Sequence, residues 1–87
     1  MLTVSIQKVS IRQIKAARAL VGWSQDDLAD KSGISVPTIK RLEAAEGDIG
    51  GRAETGAALV AALEKAGIEF IAENGGGAGV RMKKRKR

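Results

Sequence analysis

The sequence predicts a small, mainly α-helical domain that ends in a β-hairpin. Four stretches repeat apolar residues at helical spacing, and glycines lie between them. After residue 67 the chain instead alternates apolar and polar residues on both sides of a glycine-rich segment. A chain of 87 residues has the size of one domain. Such a domain buries only about two-thirds of its unfolded surface, so a partner subunit would add useful buried area.

The first three predicted helices share one starting signal. A serine hydroxyl can cap the backbone N–H groups at each start, and these serines are Ser10, Ser24 and Ser35. Gln13 and Asp27 stand three residues after the first two serines, where they complete capping boxes. Pro37 lies in the first turn of the third helix, where a missing N–H costs nothing. Gly22 and Gly33 are expected to end the first two helices.

The remaining elements are a fourth helix and a hairpin. The fourth helix is predicted over residues 53–66 and ends at Gly67. Residues 68–72 and 80–83 alternate in polarity around a glycine-rich turn, which predicts a β-hairpin, with a disordered glycine-rich tail as the alternative. Residues 2–6 also alternate, which predicts either a short strand or a frayed terminus. The helical positions expected to face the core are Ile11, Ile14, Ala17, Leu20, Val21, Leu28, Ala29, Ile39, Leu42, Leu59, Val60 and Leu63.

The composition argues against several classes of function. The chain has no cysteine and no histidine, which removes disulfides, thiol nucleophiles and the usual transition-metal ligands. No acidic pair stands out from ordinary helix-surface charge, so we expect no enzymatic activity, no cofactor and no metal. The first thirty residues resemble neither a secretory signal nor a membrane span, so a cytoplasmic protein is expected.

The net charge of +5 is concentrated at the C-terminal end. Residues 76–87 hold six basic residues and no acidic residue, so residues 1–75 carry a net charge of −1. The basic end can be a solvated strand end that keeps an exposed edge soluble. It can instead be an arm that neutralises DNA phosphates without recognising sequence, which is the interpretation we favour. The residues available for such contacts are Lys83, Lys84, Arg85, Lys86 and Arg87.

The most informative pattern is the pair of short helices over residues 24–45. Gly33 supplies the positive φ that the tight turn between them needs, and Ala29 is small enough to let the helices cross closely. Ile39 and Leu42 anchor the second helix of the pair, so its other side chains face outward. These are Val36, Pro37, Thr38, Lys40 and Arg41. A helix presented in this way can enter the major groove of DNA, whereas a helical hairpin with a merely solvated face is the alternative.

The run from Trp23 to Glu43, WSQDDLADKSGISVPTIKRLE, resembles the Cro-like, XRE-type family of phage and bacterial repressor helix-turn-helix domains. The similarity extends over roughly residues 10–67. It implies a bundle of four or five helices that binds pseudo-palindromic DNA as a dimer. The segments 51–55 and 70–77 are also similar to short XRE-type regulators of alphaproteobacteria. We therefore divide the chain into an N-terminal segment (1–9), the helix-turn-helix domain (10–67) and the hairpin with the basic tail (68–87).

The resemblance also implies roles for individual residues. The residues expected to contact DNA are Gln25, Ser35, Val36, Pro37, Thr38, Lys40, Arg41 and Arg52. Gln25, Ser35 and Arg52 would hold phosphates, Gln25 also bracing the recognition helix. Arg41 could bind guanine, Val36 or Thr38 could meet a thymine methyl, and Lys40 could contact a base or a phosphate.

Two further features of the pattern concern a structural ion pair and a proline. Arg18 and Glu43 fall where many family members have a structural ion pair between the first and third helices. Pro37 replaces a polar residue that commonly contacts bases, so DNA shape and van der Waals contact must carry more of the specificity.

The sequence thus predicts a sequence-specific regulator, expected to be a repressor that acts at the nucleoid as a homodimer through helix 36–45. The dimer contact would come from the hairpin strands, the N-terminal segment or the end of the fourth helix, and strand pairing is our first choice. The alternative is an antitoxin or anti-activator whose main role is binding another protein. No small-molecule ligand is expected, because we see no second domain for sensing one.

Overall fold

The computed structural model describes residues 9–47, 49, 53–73 and 75–83. They form α1 (Ile11–Val21), α2 (Gln25–Ser32), α3 (Val36–Ala44), α4 (Ala53–Lys65), β1 (Ile68–Ile71) and β2 (Gly79–Met82). The prediction of a mainly α-helical domain with a C-terminal hairpin is confirmed, with four helices in the described residues. The suggested strand at residues 2–6, Arg52 and tail residues 84–87 lie outside the described residues.

The predicted capping boxes determine where α1 and α2 begin. The Ser10 hydroxyl accepts from the Gln13 N–H at 3.1 Å, and the Gln13 side chain accepts from the Ser10 N–H at 2.8 Å. Ser24 and Asp27 form the equivalent pair at 3.0 and 2.9 Å. Gly33 then ends α2 with a φ of 78°, a conformation that a side chain would strain. These local signals fix the lengths of both helices, as predicted.

Side chains from all four helices and the hairpin form one core. Its fully buried members include Ile14, Ala17, Leu28, Ile39, Leu59, Leu63 and Ile68. Leu20, which we expected to face inward, is instead 48% exposed, so that prediction is wrong. It follows the fully buried Ile14 by six residues, which places it about 120° around the helix from that side chain.

The hairpin packs on the helices through one of its faces. β1 and β2 are antiparallel, with Ile68 opposite Met82 and Phe70 opposite Val80. Ile68 and Phe70 belong to the common core, because alternate strand residues point to the same face. The helices and the hairpin are therefore packed around a single core.

A polar anchor joins α1 to the loop end of the hairpin, where Ile71 and Gly79 are paired. The Gln13 side-chain amide donates to the Gly79 carbonyl at 2.9 Å and to the Ile71 carbonyl at 3.4 Å. Gln13 is 5% exposed, so these bonds satisfy an amide that would otherwise be buried without partners. Gln13 thus has two roles, as a cap for α1 and as an anchor for the hairpin.

The loop after α3 is fastened to the segment before α1. The Ile11 N–H donates to the Gly47 carbonyl at 2.8 Å, and the Ile49 N–H donates to the Val9 carbonyl at 2.9 Å. Val9 and Ile49 are both buried. These bonds tie the chain that leaves α3 to the start of α1.

No helix in the described ranges is long and apolar enough to span a membrane, and the longest of them has 13 residues.

Candidate nucleic-acid interface

Helix α3 presents a polar face to solvent and an apolar face to the core. Ile39 is completely buried, whereas the predicted DNA-contacting residues Pro37, Lys40 and Arg41 are exposed. Val36 and Thr38 are half-buried. At 100° per residue, positions 36, 37, 40 and 41 fall within about 140° of the helix circumference. The structure thus brings these four predicted residues together on one accessible face.

The start of α3 places two hydroxyl groups beside that face. The Ser35 hydroxyl accepts from the Thr38 N–H at 3.4 Å and donates to the Thr38 hydroxyl oxygen at 2.9 Å. The Thr38 hydroxyl, which accepts this bond, keeps its own proton for donation. Pro37, in the same turn, offers only apolar contact beyond the Cα. In this conformation, Thr38 is therefore the side chain near the start of α3 with a hydroxyl proton available for another molecule.

A network of polar side chains, the Glu43 network, connects α3 to α1 and α2. Arg18 donates from Nε to Glu43 Oε2 at 2.9 Å and from Nη2 to Glu43 Oε1 at 2.8 Å. Gln25 Nε2 donates to the same Oε1 at 2.9 Å. Lys15 Nζ donates to the Glu43 backbone carbonyl at 3.3 Å, and Arg18 Nη1 donates to the Trp23 carbonyl at 2.9 Å. One carboxylate thus contacts side chains from two other helices.

The burial of this network determines how firmly it orients α3. The Glu43 side chain is 6% exposed and that of Arg18 is 21% exposed. A bidentate arginine–carboxylate pair fixes distance and direction together. Gln25 uses one amide N–H on Glu43 and retains a second N–H that can donate elsewhere. Its position is therefore compatible with bracing α3 and binding a phosphate at once.

The same contacts keep Glu43 ionised. Burial alone would raise its pKa, but hydrogen bonds from Arg18 and Gln25, together with the charges of Arg18 and Lys15, hold the pKa of Glu43 below its ordinary value of 4.5. Glu43 is therefore a carboxylate at neutral pH. Sequence reasoning gave Glu43 only the Arg18 partner; it missed the additional contacts from Gln25 and Lys15.

Replacing Glu43 by glutamine is expected to flatten the pH dependence of stability in acid. Because the folded-state pKa of Glu43 is depressed, its charge stabilises the fold above about pH 4.5, and this contribution disappears as the pH falls through the folded-state pKa. Urea unfolding should show wild type more stable at neutral pH, with the two proteins converging in acid. The exposed Glu46→Gln variant is the matched control and should follow the wild-type curve. A constant difference between wild type and Glu43→Gln from neutral pH to acid would contradict this role for Glu43.

The remaining predicted site residues are distributed as follows. Lys83 is exposed, and its backbone N–H donates to the Gly67 carbonyl at 2.7 Å, which extends the hairpin ladder by one pair. Arg52 and the tail residues Lys84, Arg85, Lys86 and Arg87 fall in the ranges that the structure does not describe. Within the described ranges, no group of acidic side chains is arranged to hold a metal ion.

Comparison with known proteins identifies the same segment. The family model described as Helix-turn-helix matches residues 14–53, which span most of α1, all of α2 and α3, and the first residue of α4. No curated protein matches the chain. The matched segment contains the accessible face of α3 and the whole Glu43 network.

Proposed function

Residues 14–53 belong to the XRE-type helix-turn-helix family of DNA-binding regulators, and from this premise we propose that the chain is a sequence-specific transcriptional repressor. Its recognition element is α3, inserted into the major groove with its first turns against the base edges. The family is one of regulators, not of enzymes. Under this proposal the protein acts at the nucleoid in the bacterial cytoplasm.

The observation that carries the proposal is that the two faces of α3 differ: one holds the helix in place and the other is exposed. Ile39 and Glu43 hold the helix, the first through the core and the second through Arg18 and Gln25. Lys40 and Arg41, on the other side, are exposed and form no ion pair in the described part of the chain. A rigidly held helix with free cationic side chains is suited to contact DNA, because little conformational freedom of the backbone is lost on binding.

Each outward residue has a proposed partner on DNA. Arg41 can donate two hydrogen bonds to guanine O6 and N7, and Thr38 can donate to a base acceptor or pack on a thymine methyl. Lys40 contacts a phosphate or a base. Pro37 and Val36 make only van der Waals contacts, so specificity at their positions depends partly on DNA shape. Phosphates are held by Gln25, Arg52 and Ser35, whose hydroxyl proton turns from the Thr38 oxygen to the phosphate on binding. The basic tail adds salt-dependent affinity.

A homodimer on a palindromic operator is the proposed assembly. Two copies of α3 about one DNA turn apart, roughly 34 Å, would occupy successive major grooves. The hairpin supports pairing between subunits, since a two-stranded sheet leaves one edge of each strand outside the hairpin's own ladder. The proposed division of the chain keeps residues 10–67 as the DNA-binding domain, with the hairpin packed on it and the tail beyond.

Selection of bound sites from random DNA, followed by quantitative gel shift, tests this function. We expect one enriched palindromic sequence. Arg41→Ala should bind it roughly 10- to 100-fold more weakly and lose preference at one base pair, as expected for about 1–3 kcal/mol from a bidentate contact. Lys40→Ala, if its partner is a phosphate, should weaken binding to all sequences alike and reduce the salt slope by about 1.

The matched control is Lys65→Ala, which removes the same charge from α4, a helix that packs against α1 and α2. This variant should bind the selected site as wild type does. Failure of wild type to enrich any sequence, with binding that is lost when the chain is cut after Lys83 and β2 is left intact, would defeat the proposal. A tight protein partner in the absence of an operator would then favour the antitoxin or anti-activator function.

A further inference from the structure

A surface cavity of about 250 Å³ lies beside the C-terminal turns of α2 and α4. Its lining consists of Trp23, Lys31, Ala62, Lys65 and Ala66. It therefore combines an aromatic ring, two ammonium groups and two small apolar side chains, with no acidic residue. This cavity is separate from the accessible face of α3, because none of its lining residues belongs to that helix.

The two lysines give the cavity an unbalanced positive charge. Lys31 and Lys65 are exposed, and neither forms an ion pair in the part of the chain that the structure describes. Each lies in the last turn of its helix, where the carbonyl dipoles favour a cation. The dipole of each helix explains why a lysine is favourable at its own position. It does not explain why two positive charges lie beside the same cavity. An anion placed between them would interact favourably with both.

The remaining walls suit a flat apolar group. Trp23 is half-buried and packs against the edge of the core, and Ala62 is 9% exposed. Indole and alanine side chains together offer a contact surface for an aromatic ring. Pockets for drug-sized ligands usually measure about 300–1,000 Å³, so a cavity of this volume admits a single ring with a short substituent.

We propose that this cavity binds a small monocyclic aromatic carboxylate, with its ring on Trp23 and its carboxylate between Lys31 and Lys65. The sequence-based expectation of no small-molecule ligand rested on domain organisation and did not consider this cavity. The two lysines come from different helices, 34 positions apart in the sequence, and their charge pattern is visible only once α2 and α4 pack together.

An occupied cavity has a direct route to α3. The Trp23 carbonyl accepts from Arg18 Nη1, and the same guanidinium holds Glu43 on α3. A ligand that moves Trp23 therefore acts on the group that orients the recognition helix. We therefore expect the bound ligand to change the affinity for DNA. This expectation, the regulatory half of the inference, rests on the proposed DNA-binding function, whereas ligand binding itself does not.

Fluorescence of Trp23, the single tryptophan of the chain, reports binding directly. Titration of the full chain with phenylacetate should give a saturable change with a Kd of about 1 mM or tighter. The uncharged 2-phenylacetamide should bind at least about tenfold more weakly, because it lacks the carboxylate. The double variant Lys31→Gln, Lys65→Gln should lose the saturable change. Arg12→Gln removes an exposed charge from α1 and is the control that should bind as wild type does.

Four results separate the parts of the inference. A linear response, or equal binding by wild type and the double variant, overturns the site. Saturable binding without any change in affinity for the selected operator overturns the regulatory half and leaves the site in place. A change in operator affinity of about threefold or more at saturating phenylacetate supports both. A chain that binds phenylacetate but selects no DNA sequence supports the site and contradicts the proposed function instead.

Discussion

Replacing Arg18 by alanine is expected to lower the free energy of unfolding by about 2–4 kcal/mol. The arginine forms two bonds to Glu43 and one to the Trp23 carbonyl. Its removal leaves a carboxylate that is 6% exposed, with Gln25 as the one remaining side-chain donor among the described residues. Such a loss is a large part of the roughly 5–15 kcal/mol that stabilises a typical domain. Urea unfolding followed by circular dichroism measures it.

The chain contains a matched control for this prediction. Arg81 makes a bidentate pair with Glu69 at 3.0 and 3.2 Å, the same chemistry as the Arg18 pair but on the exposed face of the hairpin. Since exposed pairs contribute little, Arg81→Ala should unfold at the wild-type urea concentration. Arg18→Lys should fall between alanine and wild type, because it keeps the charge and loses the bidentate geometry. Equal effects of Arg18→Ala and Arg81→Ala would contradict the importance of burial.

Replacing Ile39 by alanine is expected to destabilise the fold by about 2–5 kcal/mol. Ile39 is the completely buried residue of α3, and its truncation leaves a cavity beneath that helix. The adjacent Lys40 is exposed, so Lys40→Ala should leave stability unchanged. Thermal unfolding and operator binding, measured on both variants, should separate the two faces: Ile39→Ala loses stability, and Lys40→Ala loses only DNA affinity. A comparable loss of stability in both variants would be inconsistent with the orientation of α3.

The local features of this fold are readable from the sequence because their causes are local. Ser10 with Gln13 and Ser24 with Asp27 lie three residues apart, and the bonds that they form depend on nothing else in the chain. The hairpin was predicted on the same basis, from the change of apolar period after Gly67. Leu20 was misplaced because a leucine near the end of a helix fits an apolar pattern even when it lies beside the buried face.

The long-range contacts could not be derived in this way. The Gln13 amide bonds carbonyls 58 and 66 residues away, and nothing in its neighbourhood indicates that the hairpin will meet it. The Arg18–Glu43 pair was expected from family resemblance alone. The structure adds the bond from Gln25 to the same carboxylate, which depends on how α2 crosses α3. The cavity at Trp23 depends in the same way on the packing of α4 against α2.

Methylation interference on the selected operator, measured for wild type and Arg41→Ala, tests the central claim most directly, because the comparison assigns a base contact to one side chain. Methylation of guanine N7 blocks a bidentate arginine in the major groove. If α3 recognises DNA through Arg41, at least one guanine in each half-site should interfere with wild-type binding, and the same guanine should no longer interfere with Arg41→Ala. Identical interference patterns for the two proteins, or no interfering guanine for wild type, would contradict recognition through this face of α3.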